Sequence, residues 1–185
     1  MLLFAHTGIA LGAATAVAAA ANRHEKTSWL ASLSKYLDIR FLIIGSMLPD
    51  IIDKPVGQYL FRETFQNGRI FSHTLLFLVL VTIIGVIVYK KSKNVWGFSL
   101  AAGVLAHLLL DSMWATPGTL FWPFMGWGFT TVELGDYAGK ILRELISDPR
   151  IYIPETIGLI IIVWFSITVI RKKQVAALLK TGRIG

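Results

Sequence analysis

Two stretches decide what this chain can fold into. Residues 70–89 and 153–170 are almost wholly apolar. At 1.5 Å per residue each reaches about 27–30 Å, the thickness of a bilayer's hydrocarbon core. No water is present there to take up a free N–H or C=O, so a crossing segment closes its own hydrogen bonds as a helix. The whole chain fits that reading, with 55% hydrophobic and only 16% charged residues and a mean hydropathy of +0.63. An all-α, polytopic integral membrane protein is expected, with four to five transmembrane helices in a single domain over residues 1–185.

Taken in order, residues 2–21 form an Ala- and Gly-rich apolar run interrupted by His6 and Thr7. It has no basic leading segment, so a retained helix packed through its small residues is expected rather than a signal peptide. Residues 22–40 are a polar connector. Residues 41–52 are apolar but short of the ~20 residues a span needs, so this element either spans with help from its neighbours or is a buried or re-entrant helix. Residues 95–115 make a further span. The connector 116–152 opens with an aromatic-rich stretch, as expected at headgroup level. It closes on a segment, 137–146, patterned as an amphipathic surface helix. A basic tail, 171–185, opens with Arg171-Lys172-Lys173. Trp114, Trp122 and Trp127 are expected to be interfacial belt residues.

The polar residues inside these runs carry the functional information. Leu105-Ala106-His107-Leu108-Leu109-Leu110-Asp111 places an imidazole and a carboxylate four residues apart, on one face of a helix. A carboxylate in hydrocarbon costs about 2.5–3.5 kcal/mol even on insertion scales, so it needs a partner. A divalent cation is one; a helix-helix polar pair is the plainer alternative. There is no cysteine, so any metal must be held by His, Asp and Glu. With five spans, twelve of the 18 Lys and Arg fall on one side, which the positive-inside rule makes cytoplasmic, together with the C-terminus. His6, Asp50, Asp53, His73, His107 and Asp111 then all fall at the other, non-cytoplasmic face. His24 falls on the cytoplasmic side and is read as a solvated histidine.

The order of several short motifs adds to this. His6, Leu48-Pro49-Asp50-Ile51-Ile52-Asp53, Arg69-Ile70-Phe71-Ser72-His73-Thr74, Ala106-His107-Leu108-Leu109-Leu110-Asp111, Thr116-Pro117-Gly118 and Leu120-Phe121-Trp122-Pro123 follow one another through residues 1–125. Together they resemble the YdjM-like family of membrane-bound, metal-dependent hydrolases, also described as LexA-binding and associated with the inner membrane. That family is in turn similar to the zinc-dependent phospholipases C and the single-strand-specific nucleases. The resemblance implies that His73, His107, Asp111 and one of Asp50 or Asp53 hold one metal. It implies that His6 helps to hold a second, with Asp111 bridging. Two departures stand out. Gly68 occupies a position where many relatives have histidine, and no histidine follows His107 to complete a third metal. One or two ions are therefore expected, zinc first, with manganese or iron as alternatives.

The function so implied is hydrolysis of a phosphoester, with a phospholipid or lipid-linked molecule as the expected substrate, by a metal-activated water at the inner membrane. Whichever of Asp50 and Asp53 is not a ligand would orient or deprotonate that water, and Arg69 would meet a phosphate oxygen. Membrane lipids are the expected partners, and no direct nucleic-acid binding is expected. The rivals are an ion- or proton-coupled transporter, which intramembrane His and Asp also mark, and a non-catalytic scaffold with a structural metal. A serine hydrolase finds no Gly-x-Ser-x-Gly support.

Overall fold

The computed structural model describes residues 3–22, 29–131 and 137–184. Among them there is no strand. The elements are α1 (Leu3–Ala21), α2 (Trp29–Tyr36), α3 (Ile39–Lys54), a π-helical turn (Pro55–Leu60), α4 (Arg62–Phe65), a 3-10 turn (Phe71–His73), α5 (Leu75–Ser92) and α6 (Trp96–Leu110). A second 3-10 turn (Met113–Ala115), α7 (Pro117–Leu120), α8 (Tyr137–Ser147), α9 (Pro149–Arg171) and α10 (Val175–Thr181) complete the chain.

Helices α1, α5 and α9 are long and apolar enough to cross a membrane, and α6 is a shorter apolar helix. Outward-facing side chains on α5 (Val79, Leu80, Ile83, Ile87) and α9 (Ile157, Ile160, Val163, Ile167) are about half exposed. Such apolar faces are costly in water but suit lipid. Residues 41–52 prove to belong to a continuous helix, α3, of 16 residues, begun by Asp38 accepting from the Arg40 N–H at 3.1 Å. The amphipathic segment after residue 136 is α8, with Leu142 and Ile146 exposed.

One boundary differs from expectation. The helix expected from residue 70 begins at Leu75, where Thr74 caps it by accepting from the Phe77 N–H at 3.0 Å. The preceding residues are turned instead around Asp53, which accepts from the backbone N–H groups of Ile70, Ser72 and His73. A carboxylate that satisfies N–H groups otherwise used by a helix start holds the chain in a tight turn.

The shorter helices α3 and α6 pack face to face. Gly45 and Gly103 sit at their crossing, where a Cβ on Gly103 would lie 2.6 Å from the Ser46 backbone nitrogen. α1 and α9 meet in the same way through Gly8 and Gly158, whose backbones leave no space for a Cβ. Small residues of this kind let membrane helices approach closely enough for dispersion to hold them. One apolar cluster (Leu11, Leu33, Ile39, Leu42, Phe165, Val169, Ile184) fills one end of the bundle. Another (Val104, Leu108, Met113, with Leu48 and Phe77) lies beneath the polar centre at the other end.

Candidate metal centre

The polar centre is built from four parts of the chain. α1 brings His6 and α3 brings Asp50, Asp53 and Lys54. The turn before α5 brings Arg69, Ser72 and His73, and the end of α6 brings His107 and Asp111. His6, His73 and His107 are fully buried, and Asp50, Asp53 and Asp111 are buried as well. All six expected metal-ligand candidates are therefore neighbours.

Each imidazole of one pair is fixed from behind. His73 Nδ1 lies 2.7 Å from Asp53 Oδ2, and His107 Nδ1 lies 2.7 Å from the Ser46 carbonyl oxygen. Neither of those oxygens can donate, so both Nδ1 atoms carry the proton and both Nε2 atoms present a lone pair. Those Nε2 atoms face each other at 3.1 Å. Two lone pairs at that distance repel unless something positive lies between them. Asp50 Oδ1 adds a third donor, 3.7 Å from His73 Nε2 and 3.9 Å from His107 Nε2. Asp111 Oδ2 lies nearby, 3.8 Å from His73 Nε2. Ligands on a tetrahedron at zinc's bond lengths of ~2.0–2.1 Å would be ~3.3 Å apart, and the separations among His73, His107 and Asp50 (3.1, 3.7 and 3.9 Å) lie around that value.

His6 stands beside this set. Its ring stacks on His107, with centroids 4.0 Å apart, and its Nε2 lies 3.2 Å from Asp111 Oδ1. Neither ring nitrogen makes a hydrogen bond. A fully buried imidazole whose one polar contact is a carboxylate outside hydrogen-bonding geometry is costly, and a bound cation would relieve it. His6, His107 and Asp111 form one grouping able to hold a metal, and Asp50, His73 and His107 form another. The two share His107, which has only Nε2 left to give.

Asp50 and Asp53, equivalent on the helix in sequence, are unlike in place. Asp53 is saturated: it accepts from Ile70, Ser72 and His73 N–H groups, from Ser72 Oγ at 2.8 Å, and from the His73 ring. It orients His73 from behind, as carboxylates behind metal-binding histidines do. The oxygen turned toward the imidazole pair belongs to Asp50, whose other oxygen is held by Lys54 Nζ at 2.6 Å. Arg69 is not on a helix; it reaches from the loop to Asp111 Oδ2 at 2.8 Å and stays partly exposed.

The family profile of the YdjM inner membrane protein matches residues 1–177. The chain belongs to this family. No curated protein and no solved structure matches it. Family membership and the apolar helices together place the protein in a membrane.

Three further residues contribute to the site. The Ser46 carbonyl could not be singled out, since every residue has one. Lys54 was visible as the neighbour of Asp53 but had no signal tying it to Asp50. Glu155 had a clear one: a carboxylate inside the apolar run 153–170. It is buried and accepts from the Phe4 N–H at 3.0 Å and the Ala5 N–H at 3.3 Å, capping α1 just ahead of His6. Glu155→Ala should cost roughly 1–2 kcal/mol, the upper range for a lost cap, read as a lower thermal midpoint. A midpoint equal to wild type would show that the α1 N-terminus does not depend on it. His24 lies outside the described residues.

Proposed function

We propose that this membrane protein is a metal-dependent hydrolase acting on a phosphoester, with zinc as the first candidate ion and manganese or iron as alternatives. Its substrate would be a phospholipid or lipid-linked phosphate, met at the non-cytoplasmic face of the membrane. The observation that carries the reading is the facing pair of His73 and His107 Nε2 lone pairs, 3.1 Å apart, with carboxylate oxygens around them.

A divalent ion supplies a water acidic enough, with a pKa near ~7, to attack at neutral pH, together with charge for the phosphoryl oxygens. The chain's residues supply the rest. Asp53 and the Ser46 carbonyl keep both imidazoles in the tautomer that presents Nε2. With Asp53 saturated and behind His73, Asp50 is the carboxylate that would hold the ion and orient the water on it. Arg69 uses one guanidinium nitrogen on Asp111 and has further donors for a phosphate oxygen. The lipid substrate is supported by an aromatic collar at this end of the bundle. Phe65 packs edge-on against Phe71 and Phe129, Trp122 stacks on Phe129, and Phe124 and Trp127 are left largely exposed. Aromatic rings favour the headgroup level, where lipid phosphates lie.

A second reading, a metal that only ties helices together, is favoured by the full burial of the three histidines. One experiment separates them. Detergent-purified protein is analysed for metal by elemental mass spectrometry and assayed against phospholipids and a chromogenic phosphodiester with added zinc or manganese. About one or two bound ions with cleavage that is lost in Asp50→Asn is the expected result. Metal without cleavage of any phosphoester favours the structural ion. A stably folded protein that takes up no metal even from excess sinks both.

A further inference from the structure

At the opposite end of the bundle the chain builds a second polar site. A cavity of about 400 Å³ is lined by Arg40, Lys93, Lys180 and Arg183, with Asp38, Ser92 and Asn94 between them. It lies where α5 ends, α6 begins and α3 begins, so it sits at the membrane boundary opposite the metal centre.

The cavity is held in shape by specific bonds across the sequence. The Ile39 N–H donates to the Gly182 carbonyl at 2.9 Å, and the Ile184 N–H donates to Ser34 Oγ at 2.7 Å. Arg40 donates to the carbonyls of Leu179 and Lys180, satisfying the open end of α10. Gly182, at φ +70, lies so close to the Asp38 carboxylate that a side chain there would collide with it. The C-terminal segment is thus docked, and it brings Lys180 and Arg183 to face Lys93.

The charges do not balance. The one carboxylate in the wall, Asp38, is neutralised by Arg40, which binds both its oxygens, Nη2 at 2.8 Å and Nε at 3.1 Å. Lys93, Lys180 and Arg183 make no ion pair among the described residues; Lys93 lies only over the Tyr89 ring. Three like charges around one cavity repel one another and attract an anion.

We propose that this cavity binds a phosphate group, carried either by an anionic lipid headgroup or by a soluble phosphate. Three flexible donors around one small cavity suit a tetrahedral oxyanion. The site is independent of the metal centre, and its ligand need not be a substrate.

The test compares full-length wild type with K93A/K180A/R183A and with K90A/K91A/R171A, which removes the same charge outside the cavity. Native mass spectrometry after incubation with phosphatidylglycerol or phosphatidylcholine reads lipid retention, and isothermal titration with inorganic phosphate reads the soluble arm. Thermal melting confirms that each variant folds. The expected result is retention of phosphatidylglycerol, or binding of inorganic phosphate, weakened on the order of a hundredfold in the cavity variant alone, given the strength of each basic residue near a membrane surface. Loss of phosphatidylglycerol alone identifies a lipid headgroup, and loss of inorganic phosphate binding identifies a soluble ligand. Equal behaviour of the two triple variants, or no binding of either probe by wild type, overturns the proposal.

Discussion

His107→Ala is expected to empty the metal centre. His107 is the one residue common to both metal-capable groupings, and its ring also stacks against His6. Its loss should lower metal affinity by more than the ~10–100-fold that removal of a supporting partner behind a ligand causes. Asp53→Asn supplies that comparison in the same protein. The amide keeps the shape of the carboxylate but brings an NH₂ donor into a site where every neighbour already donates. His73 would lose the acceptor that fixes its tautomer, and affinity should fall by roughly 10–100-fold. Chelator competition read by elemental analysis ranks the three proteins. Wild-type metal content in His107→Ala would remove the basis for the metal reading. Equal loss in both variants would mean that Asp53 binds the ion itself.

That ranking also marks where sequence reasoning stops. His6, His73, His107 and Asp111 were legible because each interrupts an apolar run, where a polar side chain is costly enough to demand a reason. Their common end of the bundle followed from counting spans. The choice between Asp50 and Asp53 did not follow, since a spacing of three gives a shared helix face and no more. In space the two differ: the loop 67–74 wraps its N–H groups around Asp53, while Asp50 Oδ1 faces the imidazole pair. The same wrapping explains why α5 starts at Leu75 rather than at residue 70.

Other features left different amounts of trace. Glu155 could have been found, because a carboxylate within 153–170 asks the same question as Asp111 does. The basic tail enters the sequence argument only through its charge. Its docking on α3 through Arg40 and backbone carbonyls depends on main-chain acceptors, which carry no residue signature.

The second large effect should come from a residue with no side chain. Gly103 lies one helical turn before His107 on α6, and it sets how closely α3 and α6 approach. A Cβ built on it would lie 2.6 Å from the Ser46 nitrogen and 2.7 Å from the Gly45 carbonyl carbon, and would also meet the Leu42 carbonyl oxygen. All three are backbone, so no rotamer change relieves the clash and the helices must move apart. Gly103→Ala should therefore cost at least the ~1–3 kcal/mol typical of overpacking. The separation would also draw the Ser46 carbonyl away from His107 Nδ1, now 2.7 Å distant, and release the tautomer that presents Nε2. Metal affinity should fall with stability, by roughly the 10–100-fold assigned to a lost orienting partner. Gly118→Ala is the matched control: a Cβ there meets nothing within 4 Å, and a change within ~0.5 kcal/mol is expected. Thermal melting and metal content measured on both variants decide the matter. A Gly103→Ala protein that melts and binds metal like wild type would show that α3 and α6 do not cross this closely, and that the imidazole pair is held by something other than that crossing.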